Sequence, residues 1–287
     1  MSARRFDILP DTGFVEIADR CWVARHAVAD VNVGVVAGSN GLVVVDTHSS
    51  ALTARPVLEQ VRALGAGEVV AVVNTHAHWD HVLGNGTFVE AYDAPPVVAH
   101  EDAAAAVAEH GQEMVEWLSD RLDMTGTTPV VPDQTFSSAK VIDLGDRIVE
   151  VVHLGRGHTA GDAVVRVADT DVTYAGDLVE ESGSPGFGDD CFPLEWPETL
   201  DLMIGMLGGG SLVVPGHGLP VDKDFVMHQR ASIGAVAEGI RDLAGRGVTA
   251  RDMAEETSWP YPAEDLEQAF LRGLAQLPRS SRTLPLL

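Results

Sequence analysis

The sequence predicts an α/β fold with sheets inside and helices outside. Three observations carry this: short Val-rich runs separated by turn residues, segments with apolar residues at helical spacing between them, and two rounds of that alternation around a central helical stretch. From Phe14 to Asp46 the runs FVEIA, CWVARHAV, VNVGVVA and GLVVVD lie between Gly, Asn and Asp turn signals and read as consecutive strands. Residues 51 to 64 carry apolar positions at helical spacing and stop before Gly65, and GEVVAVVNT then reads as a buried strand ending at Thr75. Residues 101 to 122 are strongly helix-prone, with acidic residues in the first turn where the helix dipole favours them. A Gly, Thr and Pro-rich stretch from Thr125 to Pro132 follows, so this region is expected to leave the sheet. Strand signals return at KVIDL, RIVEVVHL, DAVVRVA and VTYAGDLV. An acidic Gly/Pro loop (EESGSPGFGDD), a helix near 195 to 207, the short strand SLVVP and helical patterning to Leu277 complete the chain.

With no fixed-period repeat or evident linker, one domain over residues 1–287 is expected, with a helical excursion at 101–135 and a mainly helical C-terminal segment at 222–287. Nineteen Lys plus Arg stand against 43 Asp plus Glu, a net charge of −24. Binding a nucleic-acid backbone or an anionic membrane surface needs the opposite sign, so neither is expected as a partner and a small-molecule substrate is. No window approaches the roughly 20 apolar residues of a membrane span. The two cysteines, Cys21 and Cys191, cannot build a disulfide framework, and the N-terminal residues contain no apolar run of signal-peptide length. A cytoplasmic setting is expected. Oligomeric state is not legible.

The strongest chemical signal is Thr75-His76-Ala77-His78-Trp79-Asp80-His81, just after an apolar strand. Three imidazoles and a carboxylate this close cannot all be hidden cheaply in a core, and together they suit zinc or another first-row divalent metal. In an extended segment His76 and His78 point the same way, while a turn beginning near Asp80 swings Asp80 and His81 elsewhere, so one motif can feed two metals. Three later segments have the same character: His158 in a Gly-rich turn between strands, Asp177 expected at a strand end, and His217 in the strand-end turn VVPGHG. Asp46, in VVVDTHS, occupies a similar position.

In this ordered set the sequence resembles the metallo-β-lactamase superfamily. The motifs span residues 46 to 217, and the order of strands and helices agrees with that family from about residue 14 to 220. The resemblance implies a four-layer αβ/βα sandwich of two mixed β-sheets flanked by helices. It implies that His76, His78 and His158 hold a first metal, that Asp80, His81 and His217 hold a second, and that Asp177 bridges them, with Asp46 a buried support rather than a ligand. Zinc β-lactamases generally lack an aspartate at the bridging position, whereas thioesterase-like, lactonase-like and phosphodiesterase-like members carry it. Flavodiiron relatives usually have Glu where His78 stands.

The implied function is metal-dependent hydrolysis: two divalent ions, zinc foremost with Mn or Fe as alternatives, hold a hydroxide that attacks a small carbonyl substrate, a lactone, thioester or ester. Asp80 and Asp177 are the carboxylates expected to act in catalysis, Asp80 by orienting the nucleophile and accepting its proton. The alternatives are an iron-dependent persulfide dioxygenase, or a hydrolase with β-lactamase-type side activity. Other residues keep a bland reading beside a functional one. Arg156 is expected to be a solvated loop arginine, and Met114, Trp117, Leu118, Phe187, Phe192 and Trp196 to be core, while Trp79 is equally suited to the site rim and to packing. The 180–190 loop reads as readily as a solvated turn as a cover over the site. His26, His48, His100, His110, His153 and His228 are read as structural or surface groups. Cys191, without a general base, is no nucleophile but a residue of a flexible acidic loop.

Overall fold

A computed structural model describes residues 6, 8–256 and 258–278. Among them the four N-terminal runs form β1 (Val15–Ala18), β2 (Cys21–Arg25), β3 (Asn32–Gly38) and β4 (Gly41–Val45) as an antiparallel meander. Helix α1 (Ala51–Ala63) then crosses over to β5 (Val69–Val73), which pairs parallel to β4 as a helical crossover requires. Ser50 caps α1 in a reciprocal capping box with Thr53. The short α2 (Trp79–Val82) and α3 (Asn85–Ala91) lead to β6 (Val97–His100), α4 (Glu101–Leu118) and β7 (Gln134–Phe136), and β6 and β7 extend the sheet in parallel.

The second sheet contains β8 (Ala139–Asp143), β9 (Ile148–Val152), β10 (Val164–Val167), β11 (Val172–Glu180) and β12 (Leu212–His217), in the spatial order β12-β11-β10-β9-β8. Helix α5 (Trp196–Met206) joins β11 to β12, which pair in parallel. After β12 come α6 (Lys223–Gly245), α7 (Ala250–Glu256), a 3₁₀ turn (Ala263–Leu266) and α8 (Glu267–Gln276).

Strand alternation sorts the core into layers. Val43 and Val45 of β4 face inward with Val23, Val36 and Val73 against Val149, Val151 and Val165 of the second sheet. Their neighbours Leu42 and Val44 face outward onto Ala54, Val57 and Val61 of α1. On the far side, Val164, Val179 and Val213 meet Leu200 and Met203 of α5 and Ile233, Val236 and Ile240 of α6. The result is the αβ/βα sandwich. Tyr174 of β11 ties the two sheets together, its hydroxyl donating to the carbonyls of Trp22 and Val35.

Three elements differ from the sequence reading. β6 was hidden because only four residues separate Pro96 from the helix, and α3 because Asn85-Gly86 opens it like a turn. β7 was hidden at the end of the excursion expected at 101–135, which is α4 to Leu118 followed by a loop that returns to the sheet at Gln134. The helical pattern of the C-terminal segment is present to Gln276, and residues 279–287 of that segment lie outside the described residues. No helix among the described residues is long and apolar enough to cross a membrane.

Candidate metal centre

The motif histidines sit where strand order ends. β5 stops at Val73, the chain bends through Thr75, His76 and Ala77, and His78 occupies the N-cap position of α2, so the helical turn carries Asp80 and His81 away from His76 and His78. His158 lies in the turn between β9 and β10, and His217 is the last residue of β12. Asp177 differs from expectation: it lies inside the nine-residue β11, not at its end. There the pairing with β12 is interrupted between Gly176 and Glu180, which frees its side chain. Gly216 on the neighbouring strand gives it room, because a β-carbon there would collide with Asp177 Oδ1.

All seven residues singled out in the sequence converge as two groups with mutually close donor atoms: His76, His78, His158 and Asp177 in one, and Asp80, His81 and His217 in the other. The Asp177 carboxylate reaches both. Its Oδ2 is 3.3 Å from His158 Nε2 and 3.1 Å from His217 Nε2, and its Oδ1 is 3.2 Å from His81 Nε2. Asp80 Oδ2 is 3.5 Å from His217 Nε2 and 3.6 Å from His81 Nε2.

Outer partners assign a tautomer to each ring. His81 Nδ1–H donates to Asp46 Oδ2 at 2.9 Å, His158 Nδ1–H to the Gly186 carbonyl at 2.7 Å, and His217 Nδ1–H to the Ala29 carbonyl at 2.9 Å. The Thr75 hydroxyl donates to Asp46 Oδ2 and accepts from His76 Nδ1–H at 3.0 Å. His78 is reversed, its Nε2–H donating to Asp190 Oδ2 at 3.1 Å. The nitrogens left facing the site are thus Nε2 of His76, His81, His158 and His217 and Nδ1 of His78, with His217 Nε2 at 3.1 Å from Asp177 Oδ2. Asp46 is the buried support the resemblance implied. It takes three hydrogen bonds, including the Thr75 backbone N–H, from a left-handed conformation at φ 62° just past β4.

These residues fit a pair of cations. His76 Nε2, His81 Nε2 and Asp177 Oδ1 are buried and make no hydrogen bond, a costly arrangement unless something else satisfies them. His78 Nδ1 and His158 Nε2 face each other at 2.7 Å with their other nitrogens already donating, so two lone pairs meet unless a proton or a cation lies between them. The electrostatics differ from ring to ring, and although burial opposes charge on His78, the Asp190 carboxylate outweighs it and raises His78. Burial, reinforced by neighbouring imidazoles, takes His76 well below the usual histidine range and His158 to about 4. Burial also opposes charge on His81 and His217, but the carboxylates of Asp177 and Asp80 outweigh it, raising His81 well above the usual range and His217 to about 9. Burial pushes the Asp177 carboxyl up, and the four surrounding imidazoles overcome it and hold it well below the usual range.

Several other groups singled out in the sequence have defined partners. The 180–190 loop is no detached turn, since Gly186 and Asp190 hold His158 and His78. Cys191 is fully buried beside that loop, its thiol pushed up to about 12 by burial, and Cys21 is also buried and free. Arg156 is paired through two hydrogen bonds to Glu195 and lies over the Phe192 ring. Trp79 is half-buried, its ring 6.5 Å from that of the exposed Trp117. His153 stacks on His100 and bonds the Asp162 carbonyl, and His48 packs beside His26. Asp162 and Asp190 were missed. Asp162 shapes the His158 turn by accepting from the Thr159 backbone and hydroxyl, and the i, i+3 spacing of Thr159 and Asp162 is the signal that could have found it. Asp190, 112 residues from His78, leaves no local signal.

Comparison with known proteins agrees with this geometry. The family model of the metallo-beta-lactamase superfamily matches residues 27–225. The chain is 28% identical over 192 residues to a type 2 metallo-beta-lactamase of Bacillus cereus, covering 66% of this chain and 68% of the relative. It is 31% identical over 169 residues to an acyl-coenzyme A thioesterase of Gallus gallus, covering 52% and 57% respectively. A hydroxyacylglutathione hydrolase of a Synechococcus strain is 28% identical over 142 residues, covering 48% of this chain and 47% of the relative. Among solved structures, a metallo-beta-lactamase from Pontibacter korlensis superposes with a TM-score of 0.62 at 24% identity over 77% of this chain and 97% of its own. A sec-alkylsulfatase from a Pseudomonas species does so with a TM-score of 0.75 at 18% identity over 92% of this chain and 50% of its own. These two likenesses speak to the fold alone. With its sandwich, its seven convergent ligand-type side chains and a family match over most of its length, the chain belongs to the metallo-β-lactamase superfamily and is a hydrolase of that superfamily.

Proposed function

We propose that this protein is a dinuclear, zinc-dependent hydrolase of a small carbonyl substrate, a lactone, thioester or ester, working in the cytoplasm. The observation that carries the reading is the set of inward-facing, hydrogen-bond-orphaned atoms His76 Nε2, His81 Nε2 and Asp177 Oδ1 at the junction of two ligand groups. His76, His78 and His158 would hold one ion, Asp80, His81 and His217 the other, and Asp177 would serve both. Bound there, two divalent ions supply Lewis acidity and a water acidified to near neutrality, a nucleophile that needs no Ser or Cys.

The chain's own residues do the rest. Asp46, directly and through Thr75, holds Nδ1 of His81 and His76 on the outer side and so aims Nε2 of both rings inward. Asp80 Oδ2, held close to His81 and His217, is placed to orient the attacking water and accept its proton. Asp177, kept ionised by its imidazole neighbours, supplies negative charge that steadies the pair of cations. The similarity to a β-lactamase, an acyl-coenzyme A thioesterase and a hydroxyacylglutathione hydrolase supports hydrolysis at an acyl carbon. Arg156 is paired with Glu195 through two hydrogen bonds.

The test is a hydrolase screen over lactones, thioesters, esters, phosphodiesters and β-lactams with metal content measured on the same protein. Two zinc ions per chain and turnover of an acyl substrate are expected. Protein that binds no ion, or that binds iron and consumes oxygen without hydrolysis, overturns the reading.

A further inference from the structure

We propose that Asp190 is a positioning residue for the His76, His78, His158 group, and that the loop carrying it is clamped onto the site by the C-terminal helices. This rests on the dinuclear reading above. The loop has two faces. On its inner face the Gly186 carbonyl accepts from His158 and the Asp190 carboxylate from His78, the two rings whose inward nitrogens meet at 2.7 Å. On its outer face it is tied to the segment after β12. Ser184 donates to Asp265 in the 3₁₀ turn, Arg272 and Gln276 of α8 both donate to the Cys191 carbonyl, and Arg241 of α6 donates to the Leu194 carbonyl. The Phe187 ring packs between Trp196 and Tyr261, and the Arg272 guanidinium lies 5.3 Å from the centre of the Phe192 ring. Every one of these outer partners except Trp196 lies beyond residue 225, where the family match ends.

The physical need is specific. A neutral imidazole holds its proton on either nitrogen at similar cost, and a ring that must present Nδ1 inward needs an acceptor outside Nε2. For His78 that acceptor is Asp190, whose side chain is 48% exposed and lies on a loop rather than at a strand end. A carboxylate on an unsupported loop would not stay in place, and the bonds from α6, α8 and the 3₁₀ turn supply the support. The C-terminal helices thereby set the orientation of His78 and His158 without contributing a ligand.

The test uses the full chain, stripped of metal, titrated with Zn²⁺ against a chromophoric chelator and with Co²⁺ followed by its visible absorption. Wild-type protein is expected to take up two ions. In a His217→Ala background, where the remaining ion reports the first group, Asp190→Ala should weaken binding about 10- to 100-fold and Asp190→Asn, which restores an acceptor, should recover part of that loss. In a His158→Ala background Asp190→Ala should change nothing. Arg272→Leu with Gln276→Leu should weaken the first group in the same direction by a smaller factor. Unchanged affinity in Asp190→Ala, or equal loss in both backgrounds, overturns the positioning role, and wild-type affinity in the α8 double variant overturns the clamp. Wild-type protein that takes up no ion defeats the dinuclear reading instead, a result separate from these.

Discussion

The histidines of the site are held by two different kinds of support. His76, His81 and His217 lean on groups close to the ends of the sheets: Asp46 just past β4, Thr75 just past β5, and the Ala29 carbonyl in the turn before β3. His78 and His158 lean on the 184–192 loop, whose order comes from helices packed outside it. The first support is buried at Asp46 and Thr75, which adjoin the sandwich, and half-buried at Ala29. The second is partly open, with the His78 side chain 26% exposed. The difference teaches that one half of the site is as rigid as the fold and the other only as rigid as a clamped loop, so perturbations should separate them.

The largest effect is expected where the comparison collapses, at the residue that serves both groups. Asp177→Ala should lose both ions and reduce turnover by more than the roughly 100-fold that removing an outer partner costs. Retention of two ions in that variant, read by metal analysis, would show that Asp177 does not join the groups. Next is the sheet-end support. Asp46→Asn should weaken both His76 and His81, lowering zinc affinity of both groups about 10- to 100-fold, whereas the loop variants touch only one. Chelator competition distinguishes a loss in both from a loss in one.

Trp196 lies fully buried beneath His158, its indole N–H donating to the Leu178 carbonyl. Trp196→Ala should destabilise the protein by about 3 to 5 kcal/mol in denaturant unfolding while leaving the second group's metal affinity intact, a measure of how far the loop side depends on packing. A smaller signal reports loop opening. With its thiol pushed up to about 12 by burial, Cys191 should resist alkylation in the folded protein and react only when the loop releases it, which mass spectrometry over time would follow. Smallest is Arg156→Ala. Its ion pair with Glu195 is 46% and 39% exposed, so stability should change by no more than about 1 kcal/mol and KM for a neutral acyl substrate should stay as it was. A marked rise in KM would place Arg156 on the substrate after all.

Local chemistry was legible wherever the responsible residues are neighbours in sequence. The Val-rich run of β4, the helical spacing of α1 and the His76 to His81 string announce themselves because each is carried by residues close together in the chain. The Val-rich runs also announced both sheets. Misreadings fell where length or context overrides pattern. β6 and β7 are too short to show alternation, and an aspartate within β11 depends on a break in pairing that only the neighbouring strand reveals. Asn85 shows the same limit, since its side chain is buried in hydrogen bonds with Asn74 and Thr47, 11 and 38 residues away.

The sequence by itself determined the ligand types, their order and the family they belong to, because imidazoles and carboxylates near strand ends carry their meaning in spacing and composition. Tertiary structure alone decided which nitrogen of each histidine faces inward, since that depends on acceptors such as Gly186, Ala29 and Asp190, brought from up to 188 residues away. A hydrogen bond between distant residues is a property of the folded chain's geometry, and no local pattern encodes it.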